Sequence, residues 1–208
     1  MTKKIGIIGF GSFTREIMCN IKTKFDIFVS KNYITNIENI EKIEKINNCK
    51  FYELEKFDYK KYLALVTIAD IKLRNEIVND MPIKTEYFTY IDKNVHNMDK
   101  NNKIGKGCII CSGSILTTNV SLGNFVHCNI NTTIGHDTNI GNFCNMSPGV
   151  NISGKCNISD FVYIGTNASI KENMSVCKNV IIGLNSGVVK NIIDPGIYIG
   201  NPSKKLNK

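Results

Sequence analysis

The 208-residue chain has no tryptophan, four prolines and only three histidines, so little of it could build a histidine-rich metal centre. Its eight cysteines include one C-x-x-C, Cys108 to Cys111, with no second pair at zinc-ribbon spacing. No apolar run approaches the ~20 residues of a membrane-spanning helix. The opening MTKKIGIIGFGSF is too broken by glycine to be a secretory core. These absences point to a soluble, cytoplasmic protein. The net charge of +8 calls for an anionic partner. No dense Lys/Arg block and no nucleic-acid motif accompanies it, which favours a small phosphorylated ligand over nucleic acid. A merely lysine-rich composition explains the charge equally well.

What the chain does have is a period of six. From Met98 through Ile104, Ile110 and Leu116 to Val188, all 16 sixth residues are apolar, with Cys128 counted among them. At 42% overall hydrophobic content, chance would do this on the order of once in a million draws. Neither an α-helix nor an ordinary strand repeats every six residues, whereas a parallel β-helix of hexapeptides does. Three hexads make one triangular coil of 18 residues, so residues 98–192 make about five coils in a prism about 25 Å long. The second position of the hexad is often glycine (Gly105, Gly123, Gly135, Gly141, Gly165, Gly183), which suits tight corners. The fifth is small or β-branched, as a narrow interior requires. Cys108, Cys144 and Cys156 fall at the fifth position and Cys128 at the first, which makes them small buried hydrophobes.

Ahead of the repeat, residues 3–9 form a candidate buried parallel strand. Gly9-Phe10-Gly11-Ser12 and a helix from about Phe13 to Lys22 follow it. Strand, glycine turn and helix open a Rossmann-like unit. The dinucleotide fingerprint fails at its third glycine, which is Thr14, and no acidic residue follows the second strand, Phe25–Ser30. Residues 31–61 carry isoleucine at every third place from Ile34 to Ile46, a spacing that drifts around a helix, so short pieces and loops are expected. Tyr62–Ala69 is a third strand, Ile71–Asn79 a helix and Glu86–Ile91 a return to strand. The expected organisation is a Rossmann-like α/β domain over 1–90 that binds nucleotide or sugar, a linker at 91–97, a left-handed parallel β-helix over 98–192 and a tail at 193–208.

The period also acts as a ruler for chemistry. His136 takes the third, outward position of its hexad and is followed by Asp137. A solvent-facing imidazole beside a carboxylate meets the needs of a general base, because imidazoles titrate near pH ~6.5 and the carboxylate fixes the tautomer. An ordinary exposed His–Asp pair accounts for the same residues. Gly154, 18 residues on, should stand one coil away at ~4.8 Å. His127, sixth in its hexad, also points outward and reads as a surface histidine. A γ-carbonic-anhydrase arrangement would need three histidine ligands, and only His127 and His136 lie within the repeat, with His96 just before it.

The strict hexads resemble those of the left-handed β-helix acyltransferases. GFGSFTREI at 9–17 and HCNINTTIGHDTNIGNFCNMSPGVNISG at 127–154 are similar to the front end and active-site run of the PglD/NeuD-like sugar acetyltransferases. The resemblance implies an acetyl-CoA-dependent enzyme, a homotrimer with its sites between subunits, no metal, and His136–Asp137 as the catalytic pair. It places Gly154 against the thioester carbonyl, Asn129 near the acceptor sugar, and Asn145 where several relatives carry a second histidine. Gly9, Gly11, Ser12 and Phe13 would meet the nucleotide, though Phe13 replaces a frequent histidine. IYIGNPSKK at 197–205 is similar to the family's G-x-P-A-K ending, with Ser203 for alanine. It implies that Asn145, Gly154, Gly183, Gly200, Pro202 and Lys204 lie along coenzyme A, while a solvated basic tail explains the lysines as well. The expected reaction is N-acetylation of a nucleotide-linked amino sugar, such as a 4-amino-4,6-dideoxy sugar. O-acetylation of a sugar hydroxyl (sialic acid or a capsule or O-antigen unit) and a non-catalytic β-helix scaffold stand as alternatives.

Overall fold

The computed structural model describes residues 3–206, which fall into two compact units divided between Thr89 and Tyr90. In the first unit, β1 (Lys4–Ile8), β2 (Phe25–Val29), β3 (Phe51–Glu53) and β4 (Tyr62–Val66) form a parallel sheet in the order β3-β2-β1-β4. Helices α1 (Ser12–Met18), α2 (Lys31–Ile34), α3 (Ile40–Asn47) and α4 (Ile71–Asp80) connect or follow the strands. β1 and β2 read as unbroken apolar runs because parallel strands are covered on both sides. The one buried charge among them, Asp26, is 2% exposed. It is held by the Lys4 ammonium at 2.7 Å, the Tyr62 hydroxyl at 2.8 Å and the Lys50 amide at 2.9 Å. None of the isoleucines at 34, 37, 40, 43 and 46 is buried, in keeping with a spacing that never settles on one face. Within the same segment, β3 has three residues and too little pattern to be anticipated.

The second unit is a triangular prism of short parallel strands, paired 18 residues apart from Lys103 to Val188 and 19 apart in the first coil, and its repeated rungs fit a left-handed β-helix. Face I carries Lys103–Ile104, Ser121–Leu122, Asn139–Ile140, Asn157–Ile158 and Ser175–Val176. Face II carries Tyr90–Ile91, Ile109–Ile110, His127–Cys128, Asn145–Met146, Tyr163–Ile164 and Val180–Ile182. Face III carries His96–Asn97, Ile115–Leu116, Thr133–Ile134, Asn151–Ile152, Ser169–Ile170 and Gly187–Val188. From Ile104 on, the sixth-residue apolar side chains stack into one continuous interior, whereas Met98, the first of the series, is exposed. Residues 91–97 are not a linker. Tyr90–Ile91 and His96–Asn97 pair directly with Ile109–Ile110 and Ile115–Leu116, so the prism starts before the hydrophobic period becomes countable. At the other end, Gly196–Ile199 extends face II by pairing with Val180–Ile182, and Lys204–Lys205 folds back on it antiparallel.

The corners work differently from the expectation. Left-handed backbone occurs at the fourth hexad position, held by Asn119, Asn131, Asp137, Asn167 and their equivalents with φ between 53° and 61°. The second-position glycines are needed for space instead. A Cβ on Gly105 would lie 2.4 Å from the Gly123 carbonyl oxygen, and one on Gly135 would lie 2.5 Å from the Gly154 nitrogen. At one corner the left-handed residues are Phe125, Phe143 and Phe161, a conformation that costs a bulky residue about 1–2 kcal/mol. Their rings stack at 4.9 and 5.4 Å, and such pairs offset about 0.5–1.5 kcal/mol each.

The fifth position also does more than stay small. The Cys108, Cys144 and Cys156 thiols donate to the carbonyls of Gly123, Ser159 and Lys171 at 3.1, 3.1 and 3.2 Å. Ser114 and Thr138 donate to residues 15 further along in the same way. Burial drives the Cys128 thiol well above its ordinary pKa. A charged thiol reagent is therefore expected to modify exposed Cys19 in the folded protein and to reach Cys108, Cys128 and Cys144 only after denaturation, as peptide mass mapping would show.

Candidate active site

His136 and Asp137 turn the corner from face III to face I. The corner itself is rigid. The His136 carbonyl accepts from the Lys155 amide at 2.7 Å, the Asp137 amide donates to the Thr118 carbonyl at 3.0 Å, and Asp137 holds φ 58°. The His136 Nδ1 and Asp137 Oδ2 are 2.8 Å apart, and the two side chains are 54% and 43% exposed. The other carboxylate oxygen accepts from the Asn119 carboxamide at 2.7 Å. That amide, and then the imidazole, hold the Asp137 carboxyl below the usual carboxylate range. An ionised carboxylate on Nδ1 requires a proton there, which leaves the Nε2 lone pair as the reactive position.

Gly154 stands one coil away, where the 18-residue ruler puts it. A Cβ at that position would come within 2.5 Å of His136 Nε2, 2.7 Å of Cε1 and 2.9 Å of Cδ2, so the imidazole lies flat on bare glycine backbone. The hydrogen bonding of this corner is unlike that of the next. From face I to face II, third-position amides are taken up by a ladder of side chains: Lys106 N–H by Asn124, Asn124 N–H by Asn142, and Asn142 N–H by Asp160. The Gly154 N–H has no acceptor among the described residues. A base and a donor in need of an acceptor therefore stand side by side.

The remaining sequence candidates lie elsewhere. Asn145 is on face II, between His127 and Tyr163, and 8% exposed. Asn129 and Gly183 begin the corner from face II to face III. Gly200 accepts from the Gly187 amide at 3.0 Å and donates to the Ser186 hydroxyl at 3.1 Å, which places the tail of Gly200, Pro202 and Lys204 on the last coil. Within one chain, then, His136, Asp137 and Gly154 come together and the other proposed coenzyme contacts do not. His127 is not a surface residue. It is 1% exposed, between buried Ile109 and Asn145 on the same face. The period gives a side chain's direction and not what covers it.

In the first unit, Gly9 holds φ 102°, Gly11 precedes α1 with open space around it, and Ser12 and Phe13 begin the helix. Thr14, which breaks the dinucleotide fingerprint, is fully buried. Its hydroxyl accepts from the Gly11 amide at 3.2 Å and meets the Thr67 hydroxyl at 2.8 Å. The third glycine is thus replaced by a residue that ties the glycine turn to the end of β4. Among the described residues no cluster of three His, Cys, Asp or Glu could hold a metal ion, and no helix is long and apolar enough to cross a membrane. Asn119 lies 18 residues before Asp137, so the ruler that pairs Gly154 with His136 also finds it, although no motif marks it.

No family model matches the chain. A curated relative, GDP-perosamine N-acetyltransferase of Escherichia coli O157:H7, is 27% identical over 149 residues, 69% of this chain and 67% of the relative. Among solved structures, the acetyltransferase domain of PglB from Neisseria gonorrhoeae superposes with TM-score 0.86 at 19% identity, covering 99% of this chain and all of that one. WeeI from Acinetobacter baumannii gives 0.85 at 24% identity over 99% and 100% of the two chains. PerB from Caulobacter crescentus, solved with CoA and GDP-perosamine, gives 0.80 at 15% over 100% and 99%. Over nearly its whole length the chain shares the fold of these solved structures, and over 149 residues its sequence is similar to that of the curated N-acetyltransferase.

Proposed function

We propose that this protein is an acetyl-CoA-dependent N-acetyltransferase acting on a nucleotide-linked amino sugar. The observation that carries the reading is the His136–Asp137 pair resting on Gly154, whose N–H is in need of an acceptor. The sugar amine attacks the thioester carbonyl, and His136 Nε2 takes the amine's proton as the N–C bond forms. The Gly154 N–H supports the developing oxyanion, where a fixed donor does most good. The C–S bond then breaks, and the proton held by His136 neutralises the departing thiolate. The α/β unit, read as Rossmann-like, would take the nucleotide near Gly9, Gly11, Ser12 and Phe13 at the carboxyl ends of its strands.

The scatter of Asn129, Asn145, Gly183 and the Gly200–Lys204 tail over one prism supports a homotrimer, in which a neighbour's corner faces His136 across a groove. A trough of about 650 Å³ along face I, lined by Ser121, Asn139, Asn157 and Lys178 among others, begins three residues after His136 and offers room for an elongated ligand. The relatives named for perosamine favour an amine acceptor over a hydroxyl. Incubation with acetyl-CoA and a panel of GDP-, UDP- and dTDP-linked 4-amino sugars, alongside free sialic acids, is expected to yield acetylated product on the amines alone. Transfer confined to hydroxyls would overturn the N-acetyl reading, and an active monomer by sedimentation would overturn the shared site.

A further inference from the structure

We infer that Asn119 is a positioning residue that sets the tautomer and aim of His136 through Asp137. The inference concerns the same site and rests on its proposed use as a general base. Asp137 alone does not fix the imidazole, because a carboxylate 43% exposed next to its own backbone turn can rotate into solvent. Asn119 removes that freedom. Its Nδ2 donates to Asp137 Oδ1 at 2.7 Å, which leaves Oδ2 on His136 Nδ1 at 2.8 Å, so both oxygens of one rigid group are committed. The amide has only one workable orientation here, since its own carbonyl oxygen would repel the carboxylate.

Asn119 is itself anchored from one coil earlier. It occupies φ 54°, a conformation asparagine tolerates. Its backbone amide and the Thr118 hydroxyl both point at Asp99 Oδ2, at 3.4 and 2.7 Å. Asp99, Asn119 and Asp137 thus step down one corner of the prism and end on the imidazole, and the flat contact with Gly154 closes the other side of the ring. The charged neighbours are few: Asp99 at the upper end, and Lys155 as a weaker cation near Asp137.

Position 119 permits a clean test, because glycine is at ease at φ 54° and removes only the side chain. In Asn119→Gly, ¹⁵N imidazole spectra of His136 are expected to change from a single Nδ1–H tautomer to a mixture. The kcat should fall about ten- to a hundredfold with the KM for acetyl-CoA little changed. Asn119→Asp, which keeps the shape and presents only acceptors to Asp137, should not rescue kcat. An unchanged tautomer and an unchanged kcat in Asn119→Gly would overturn the inference. The spectrum reads the imidazole whether or not the protein transfers acetyl groups. A shifted tautomer in a protein inert to every acyl donor would uphold the positioning role and refute the proposed reaction.

Discussion

His136→Ala is expected to lower kcat by about two to four orders of magnitude while the protein stays folded. The side chain is 54% exposed and makes its one side-chain hydrogen bond to an equally exposed carboxylate, so the prism loses little with it. The backbone carbonyl of residue 136 still accepts from the Lys155 amide and the Thr138 hydroxyl after the change. Thermal unfolding should therefore stay within a few degrees of the parent while turnover collapses. The deficit should depend on pH in a definite direction. Hydroxide competes with the imidazole for the amine's proton as pH rises, so the ratio of parent to variant kcat should shrink toward alkaline pH. A ratio flat across the range would mean that His136 does not handle the amine proton. A variant with parental kcat would remove it from the site.

Much of this site is legible in the sequence, and the reason is geometric. In a prism with an uninterrupted 18-residue coil, sequence separation is spatial separation, so His136 and Gly154 are neighbours by arithmetic. The same arithmetic reaches Asn119 from Asp137. The period fails where burial does not follow a side chain's direction or where pattern is lost. Tyr90 and His96 already pair in the prism, but each with a residue 19 positions on, one out of step with the 18-residue coil, so the apolar recurrence does not reach them. His127 points outward as the period demands and is nonetheless covered. The second-position glycines were visible, though not their cause: they lie against the next coil's backbone, while the left-handed turns fall two residues later on Asn, Asp and even Phe. In the α/β unit the failed fingerprint at Thr14 was legible, yet only the Thr14–Thr67 contact shows what the substitution accomplishes.

Gly154→Ala tests the site's construction more sharply than removal of the base, because it adds one methyl group and deletes nothing. The added carbon would sit 2.5 Å from His136 Nε2 and under 3 Å from two ring carbons, closer than such atoms can approach. What must yield decides the outcome. Gly154 is not held in the left-handed region, so alanine fits its backbone, and the obstructing atoms are the far end of a side chain more than half exposed. The imidazole swings out, the prism keeps its rungs, and unfolding is expected at nearly the parental temperature. The displaced ring gives up its bond to Asp137 and its place beside the Gly154 N–H, so proton transfer and oxyanion support no longer act on one carbonyl. A fall in kcat of at least about a hundredfold follows, with binding of the nucleotide-sugar acceptor retained by calorimetry. The double variant carrying His136→Ala as well should be little worse than His136→Ala alone, since the methyl group acts mainly by evicting a ring that is no longer there. Additive losses in the double variant would show that the methyl group obstructs the thioester's approach to the Gly154 N–H independently of the imidazole. Full activity in Gly154→Ala would show that the ring does its chemistry from some place other than the glycine it rests on.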